Sequence, residues 1–130
     1  MKILVVDDDD LVRMMMVQAL ESVGHDIDEC DDGIAAVAKI KQCTYDIIVT
    51  DVVMPGQSGV SVGEYVKNND LPSAVLAVSA YANNDEGNAL AFANYFADDI
   101  LKKPFDKETF LTAVKKLSPG INIDSALQNM

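Results

Sequence analysis

Short runs of uninterrupted apolar residues recur along this chain, each closed by acids or turn residues and separated by segments whose apolar residues fall at helical spacing. The runs occupy positions 3–6, 47–49 and 74–78, with weaker ones at 27–30 and 100–101. Such runs suit parallel strands covered on both faces, because half-exposed strands alternate apolar with polar residues instead. Between them, Val12, Met16, Ala19, Leu20 and Val23 share one helical face, and the helix stops at Gly24, a favourable residue just past a helix C-terminus. Ile34, Val37 and Ile40 predict a second helix, Val62 and Val66 a third, positions 89–93 a fourth, and Phe110, Val114 and Leu117 a fifth.

Five strands alternating with five helices imply a parallel sheet with helices on both faces, joined by right-handed crossovers. With only 130 residues, the chain has room for one such domain. The expected fold is therefore α/β: a flavodoxin-like, doubly wound five-stranded sheet of order 2-1-3-4-5. In that order ligands bind beyond the carboxyl ends of the strands, where strands one and three diverge.

Both of those strands deliver carboxylates to the crevice. The first ends in Asp7, Asp8, Asp9 and Asp10, the third in Thr50 and Asp51. For Asp9 and Asp10 a helix N-cap and first-turn acids favoured by the helix dipole are the expected roles. Asp7, Asp8 and Asp51 remain to crowd together. Two carboxylates about 4 Å apart repel by roughly 1 kcal/mol in water and about 4 kcal/mol at an effective dielectric of 20, so the cluster calls for a cation. Oxygen ligands without His or Cys point to Mg²⁺. Ser79 at the end of the fourth strand and Lys103 after the fifth add a hydroxyl and an ammonium to the same edge. Together these parts describe a phosphoryl pocket, in which the Asp51 carboxylate attacks phosphorus while the cation and Lys103 neutralise charge. Phosphorylation there would draw Ser79 inward and repack the adjoining loop, so chemistry becomes conformation.

The ordered set VVDD at 5–8, DVVMPGQSG at 51–59, VSA at 78–80, ADD at 97–99 and KPF at 103–105 resembles the receiver domain of two-component response regulators, over residues 1 to about 118. The resemblance implies a signalling switch rather than a metabolic enzyme, catalysing only its own phosphoryl transfer and dephosphorylation. It marks Asp51 as phosphoacceptor, Asp8 and Asp51 as direct Mg²⁺ ligands, Asp7 as a ligand through water, and the Val53 carbonyl as a further ligand. Lys103 resembles the lysine that contacts the phosphoryl group, Ser79 the switch hydroxyl, and Pro104 is expected after a cis bond. Implied partners are a sensor histidine kinase or phosphotransfer protein upstream, and a downstream protein on the face of the fourth helix, fifth strand and fifth helix. The expected state is a monomer or a phosphorylation-dependent dimer.

The rest of the chain sharpens these expectations. A net charge of −11 disfavours direct contact with nucleic acid or anionic lipid. No apolar run reaches the roughly 20 residues of a membrane helix and no cleavable signal pattern opens the chain, so a cytoplasmic location is expected. Cys30 and Cys43 read as buried structural thiols. Residues 119–130 read as a tail or the start of a linker, with Ile123, Leu127 and Met130 at helical spacing. Two competing functions remain in view. A receiver-like module working without phosphorylation is hinted at by Ile100, which stands where the family usually has an aromatic residue. An independent phosphohydrolase or nucleotide-binding protein is disfavoured, since Asp51-Val52-Val53 lacks a D-x-D motif and no phosphate-binding G-x-x-x-x-G-K loop occurs. Phe96 stands where the family commonly has glycine, the stretch from Ser79 to Asp98 is about two residues longer than is usual in the family, and one of Tyr81, Phe92, Tyr95 and Phe96 is expected to replace the missing ring. Gly63 inside the third helix is expected to weaken it by roughly 1 kcal/mol relative to alanine.

Overall fold

Residues 1–52, 59–79 and 96–118 are described by the computed structural model, with side chains in the second stretch from residue 62 onward. Five strands, β1 (Lys2–Val6), β2 (Asp26–Cys30), β3 (Ile47–Asp51), β4 (Ala74–Ser79) and β5 (Asp99–Lys102), form one sheet in the order β2-β1-β3-β4-β5. Every neighbouring pair is parallel. Four helices lie among the described residues: α1 (Asp10–Ser22), α2 (Gly33–Gln42), α3 (Gly59–Asn68) and α4 (Lys107–Leu117). The predicted helix at 89–93 falls outside the described residues, as do Val53, Tyr81, Phe92, Tyr95 and the 119–130 tail; α4 is therefore the fifth helix of the sequence-based scheme.

Alternation within each strand explains the continuous apolar runs. Ile3 and Val5 of β1 join Ile47, Val49, Leu76 and Val78 under α1 and α4, in a cluster completed by Met16, Leu20, Phe110 and Val114. Leu4 and Val6 point the other way and join Ile48, Val75, Ala36, Ile40, Val62 and Val66 under α2 and α3. A central strand with helices on both sides has no polar face to offer. The edge is different: β2 reads DIDEC, and Asp26 and Glu29 are exposed. Its expected burial on both faces is not observed, because β2 is hydrogen-bonded on one side only and its acids discourage a further strand from adding there.

Local signals place the helix ends. Asp9 caps α1, its side chain accepting from the backbone N–H groups of Leu11 and Val12, as expected for the third acid of the run. Past the helix, Gly24 adopts φ 88°, a left-handed conformation that other residues adopt at a cost. Asp32 and Asp106 cap α2 and α4 through Ala35 and Thr109. Two facing residues differ from expectation. Val23 is exposed because the chain leaves the helix there, and Ile34 is 66% exposed because α2 buries the stripe Gly33, Ala36 and Ile40 instead.

Both cysteines are free thiols and only half-buried, a correction to the buried reading. Burial nevertheless pushes the Cys30 thiol up to about 11. At pH 8 its thiolate fraction is far below that of an ordinary cysteine, and even after allowing for the greater nucleophilicity of a more basic thiolate its alkylation by iodoacetamide should be about tenfold slower than that of glutathione. The rate should rise with pH towards 11; mass spectrometry of the labelled Cys30 peptide measures it, and a rate equal to glutathione's would contradict the burial argument.

Candidate functional site

The register of the two central strands brings the acids together. Val6 of β1 pairs with Thr50 of β3, so Asp7 and Asp51 follow side by side at the carboxyl end of the sheet. Asp7 is fully buried, Asp51 is 7% exposed, and Asp8 faces solvent. One carboxylate oxygen from each of the three lies within 4.8 Å of the others. The backbone holds them there: the Asp7 N–H donates to the Cys30 carbonyl at 3.2 Å, and the Val52 N–H donates to the Val78 carbonyl at 3.0 Å.

Lys103 reaches this cluster from across the sheet. Ser79 pairs with Lys102 at the ends of β4 and β5, and the Lys103 N–H donates to the Ser79 carbonyl at 2.8 Å. The bond between Lys103 and Pro104 is cis, and beyond it Phe105 stacks on Phe110 of α4 with ring centroids 5.6 Å apart. From this anchored turn the ammonium sits 2.9 Å from Asp7 Oδ2 and 2.9 Å from Asp51 Oδ2. Burial works against a charged lysine here, but hydrogen bonding and attraction to Asp51 and Asp7 outweigh it and raise its pKa. The ammonium therefore stays charged through neutral pH, and the stability it confers is lost only as pH rises through the lysine range. Ser79 is buried beside it.

Three carboxylates against one ammonium leave the pocket negative. Asp7 Oδ1 accepts the Asp9 N–H at 2.9 Å, and buried Oδ2 faces the Lys103 ammonium at 2.9 Å. Three clustered carboxylates, oxygen donors whose charge a single ammonium offsets only in part, fit a hard divalent cation such as Mg²⁺. The pocket thus combines three clustered carboxylates with a fixed ammonium.

The sequence profile of the response regulator receiver domain matches residues 3–115. The chain belongs to the response regulator receiver domain family. Among curated relatives, this receiver is 35% identical over 115 residues to transcription factor prr1 of Schizosaccharomyces pombe, covering 88% of the chain but 21% of the relative. It is 32% identical over 116 residues to the transcriptional regulatory protein ResD of Bacillus subtilis, covering 89% and 47%. The chain thus spans half or less of these relatives. Among solved structures it superposes on the response regulator TrrA of Thermotoga maritima in complex with Mg²⁺-BeF (28% identity, TM-score 0.77, 89% and 97% covered). It also superposes on a CheY-like receiver domain protein of Methanospirillum hungatei (25% identity, TM-score 0.81, 89% and 92% covered). No helix among the described residues is long and apolar enough to cross a membrane.

Of the residues singled out from the sequence, Asp7, Asp8, Asp51, Ser79 and Lys103 gather at one edge of the receiver, and Val53 lies outside the described residues. Ile100, at the usual aromatic position, is half-buried on β5 and packs with the α2 and α3 cluster. Phe96 is 8% exposed within that same cluster, and its ring lies over Gly63 of α3, where a side chain would collide with it. The glycine that looked like a defect is the seat of the unexpected aromatic.

One residue escaped the sequence reading. Arg13 of α1 donates from Nη1 to the Asp7 carbonyl at 2.7 Å, from Nη2 to Asp10 at 2.6 Å and from Nε to Glu29 of β2 at 3.0 Å. Its spacing to Asp10 was a weak signal, since i,i+3 ion pairs commonly decorate exposed helix faces. The bonds to Asp7 and Glu29 depend on how β1, β2 and α1 meet.

Proposed function

We propose that this receiver takes a phosphoryl group onto Asp51 from a sensor histidine kinase or phosphotransfer protein and signals by the conformational shift that follows. The observation carrying this is Lys103 Nζ held 2.9 Å from oxygens of both Asp7 and Asp51 beside a three-carboxylate cluster. In this reading an Asp51 carboxylate oxygen forms a bond to phosphorus as the bond from phosphorus to the donor's imidazole nitrogen breaks, with its electron pair leaving on nitrogen. Lys103 offsets charge on the phosphoryl oxygens, and Asp51 is oriented by its place at the end of β3. Asp7, Asp8, Asp51 and the Val53 carbonyl would hold Mg²⁺, which supplies charge neutralisation between nucleophile and phosphoryl oxygens when bound. The Mg²⁺-BeF complex of TrrA supports that choice of ion. Ser79 is the hydroxyl that responds to the new group, and hydrolysis of the acyl phosphate resets the switch.

The receiver runs to residue 118, where α4 has just ended, with 119–130 as a tail or linker. Its output is to a protein partner in the cytoplasm, on the face that carries β5 and α4, without contact of this acidic domain with nucleic acid or membrane, as a monomer or a phosphorylation-dependent dimer. Incubation with Mg²⁺ and acetyl phosphate tests the acceptor. Intact mass should show one added phosphoryl group on the wild type and none on Asp51→Asn; an unlabelled wild type beside a control receiver that labels would overturn the assignment, and equal labelling of both proteins would move the acceptor elsewhere.

A further inference from the structure

We propose that Arg13 is a positioning residue for the divalent-cation site: it fixes the turn that presents Asp7 and Asp8 by tying the Asp7 carbonyl to β2 and to the first turn of α1. The inference rests on the reading of Asp7, Asp8 and Asp51 as the Mg²⁺ site. Arg13 donates to three acceptors on three parts of the fold, the Asp7 carbonyl at 2.7 Å, Asp10 at 2.6 Å and Glu29 at 3.0 Å. Its side chain is 16% exposed, so the guanidinium is largely shielded from water among these acceptors. Asp7 and Asp8 sit between strand and helix, where the chain has left the ladder of β1 and has not yet entered α1. The Asp7 N–H is held by Cys30 and its carbonyl by Arg13, so both ends of that residue's backbone are fixed from outside the turn. A guanidinium suits this work because its donors form a rigid fork, which an ammonium does not.

The sign of the effect separates positioning from simple electrostatics. A cation near an anionic site repels Mg²⁺, so if charge alone mattered, removing Arg13 would tighten binding. If Arg13 positions the turn, its removal loosens the liganding oxygens and weakens binding in spite of the lost repulsion. Outer partners that orient metal ligands commonly matter by about tenfold or more in affinity.

The test is isothermal titration of wild type, Arg13→Ala and Arg13→Lys with magnesium chloride, at a temperature where circular dichroism shows each protein folded. Arg13→Ala should bind Mg²⁺ about tenfold more weakly, and Arg13→Lys at least about threefold more weakly although its charge is kept. Labelling by acetyl phosphate should be slow in Arg13→Ala at limiting Mg²⁺ and recover at saturating Mg²⁺. Arg13→Ala that binds as tightly as the wild type or tighter overturns the proposal, including when its unfolding temperature has dropped, since that result assigns Arg13 to the fold alone. Wild-type binding by Arg13→Lys overturns the role of the fork. A wild type that binds no Mg²⁺ overturns the cation site itself and this proposal with it, and is distinguishable because the defect then precedes any substitution.

Discussion

Replacing Lys103 by methionine is expected to destabilise the metal-free protein by about 3 kcal/mol and, at the same time, to tighten its hold on Mg²⁺ by about tenfold. Methionine keeps the length and apolar stem of the lysine and removes only the charge. In the metal-free protein the ammonium is the countercharge to buried Asp7 and Asp51, 2.9 Å from an oxygen of each. Taking it away leaves two buried carboxylates facing one another, and breaking a buried ion pair by deleting one partner is far costlier than replacing the pair as a whole. Mg²⁺ arriving at the same pair of carboxylates would no longer meet an ammonium beside them. Urea unfolding with and without magnesium chloride reads both effects: stabilisation by the ion should be larger in the variant, following the mass-action dependence on free ion. Equal stability of the two proteins without Mg²⁺ would show that Lys103 is not the countercharge. The direction on Mg²⁺ is opposite to that expected for Arg13, because Lys103 touches the carboxylates proposed to hold the metal whereas Arg13 touches a carbonyl and two other acids.

Gly63→Ala is the second large effect, and its sign is contrary to ordinary helix propensity. A glycine inside a helix normally gains about 1 kcal/mol on replacement by alanine. At Gly63 the added methyl would fall on Cγ, Cδ2 and Cε2 of Phe96. The ring belongs to the buried cluster that holds Val62, Val66 and Val75, so moving it aside disturbs that packing. Overpacking of this kind costs about 1 to 3 kcal/mol, which cancels or exceeds the propensity gain and leaves a net destabilisation of up to about 2 kcal/mol. In a Phe96→Ala background, itself destabilised by about 3 to 5 kcal/mol, the collision is gone and Gly63→Ala should become stabilising by up to about 1 kcal/mol. Thermal or chemical denaturation of the four proteins closes the cycle. Gly63→Ala that stabilises the otherwise unaltered chain would show that Phe96 does not rest on that glycine.

That pair shows where sequence reading stops. Phe96 and Gly63 are 33 positions apart and each looked like a local irregularity; only packing across α3 makes them one feature. Ile34 and Val23 misled for a related reason, since helical spacing identifies an apolar stripe but not which way the helix is rolled against the sheet. The acids of β2 show the reverse: an edge strand needs less apolar covering, so its signal was weak where the strand is real.

The sequence by itself determined the parallel α/β sheet and its order, because strands covered on both faces require continuous apolar runs and short crossovers leave few topologies. It also placed Asp7, Asp8, Asp51, Ser79 and Lys103 at one end, since all five follow or close strands at their carboxyl termini. Only the tertiary structure decided that Lys103 pairs with Asp7 and Asp51, that Arg13 ties the Asp7 turn to β2, and that Phe96 seats on Gly63. Strand periodicity fixes which edge a side chain reaches, whereas its partner depends on distances between elements that no local pattern encodes.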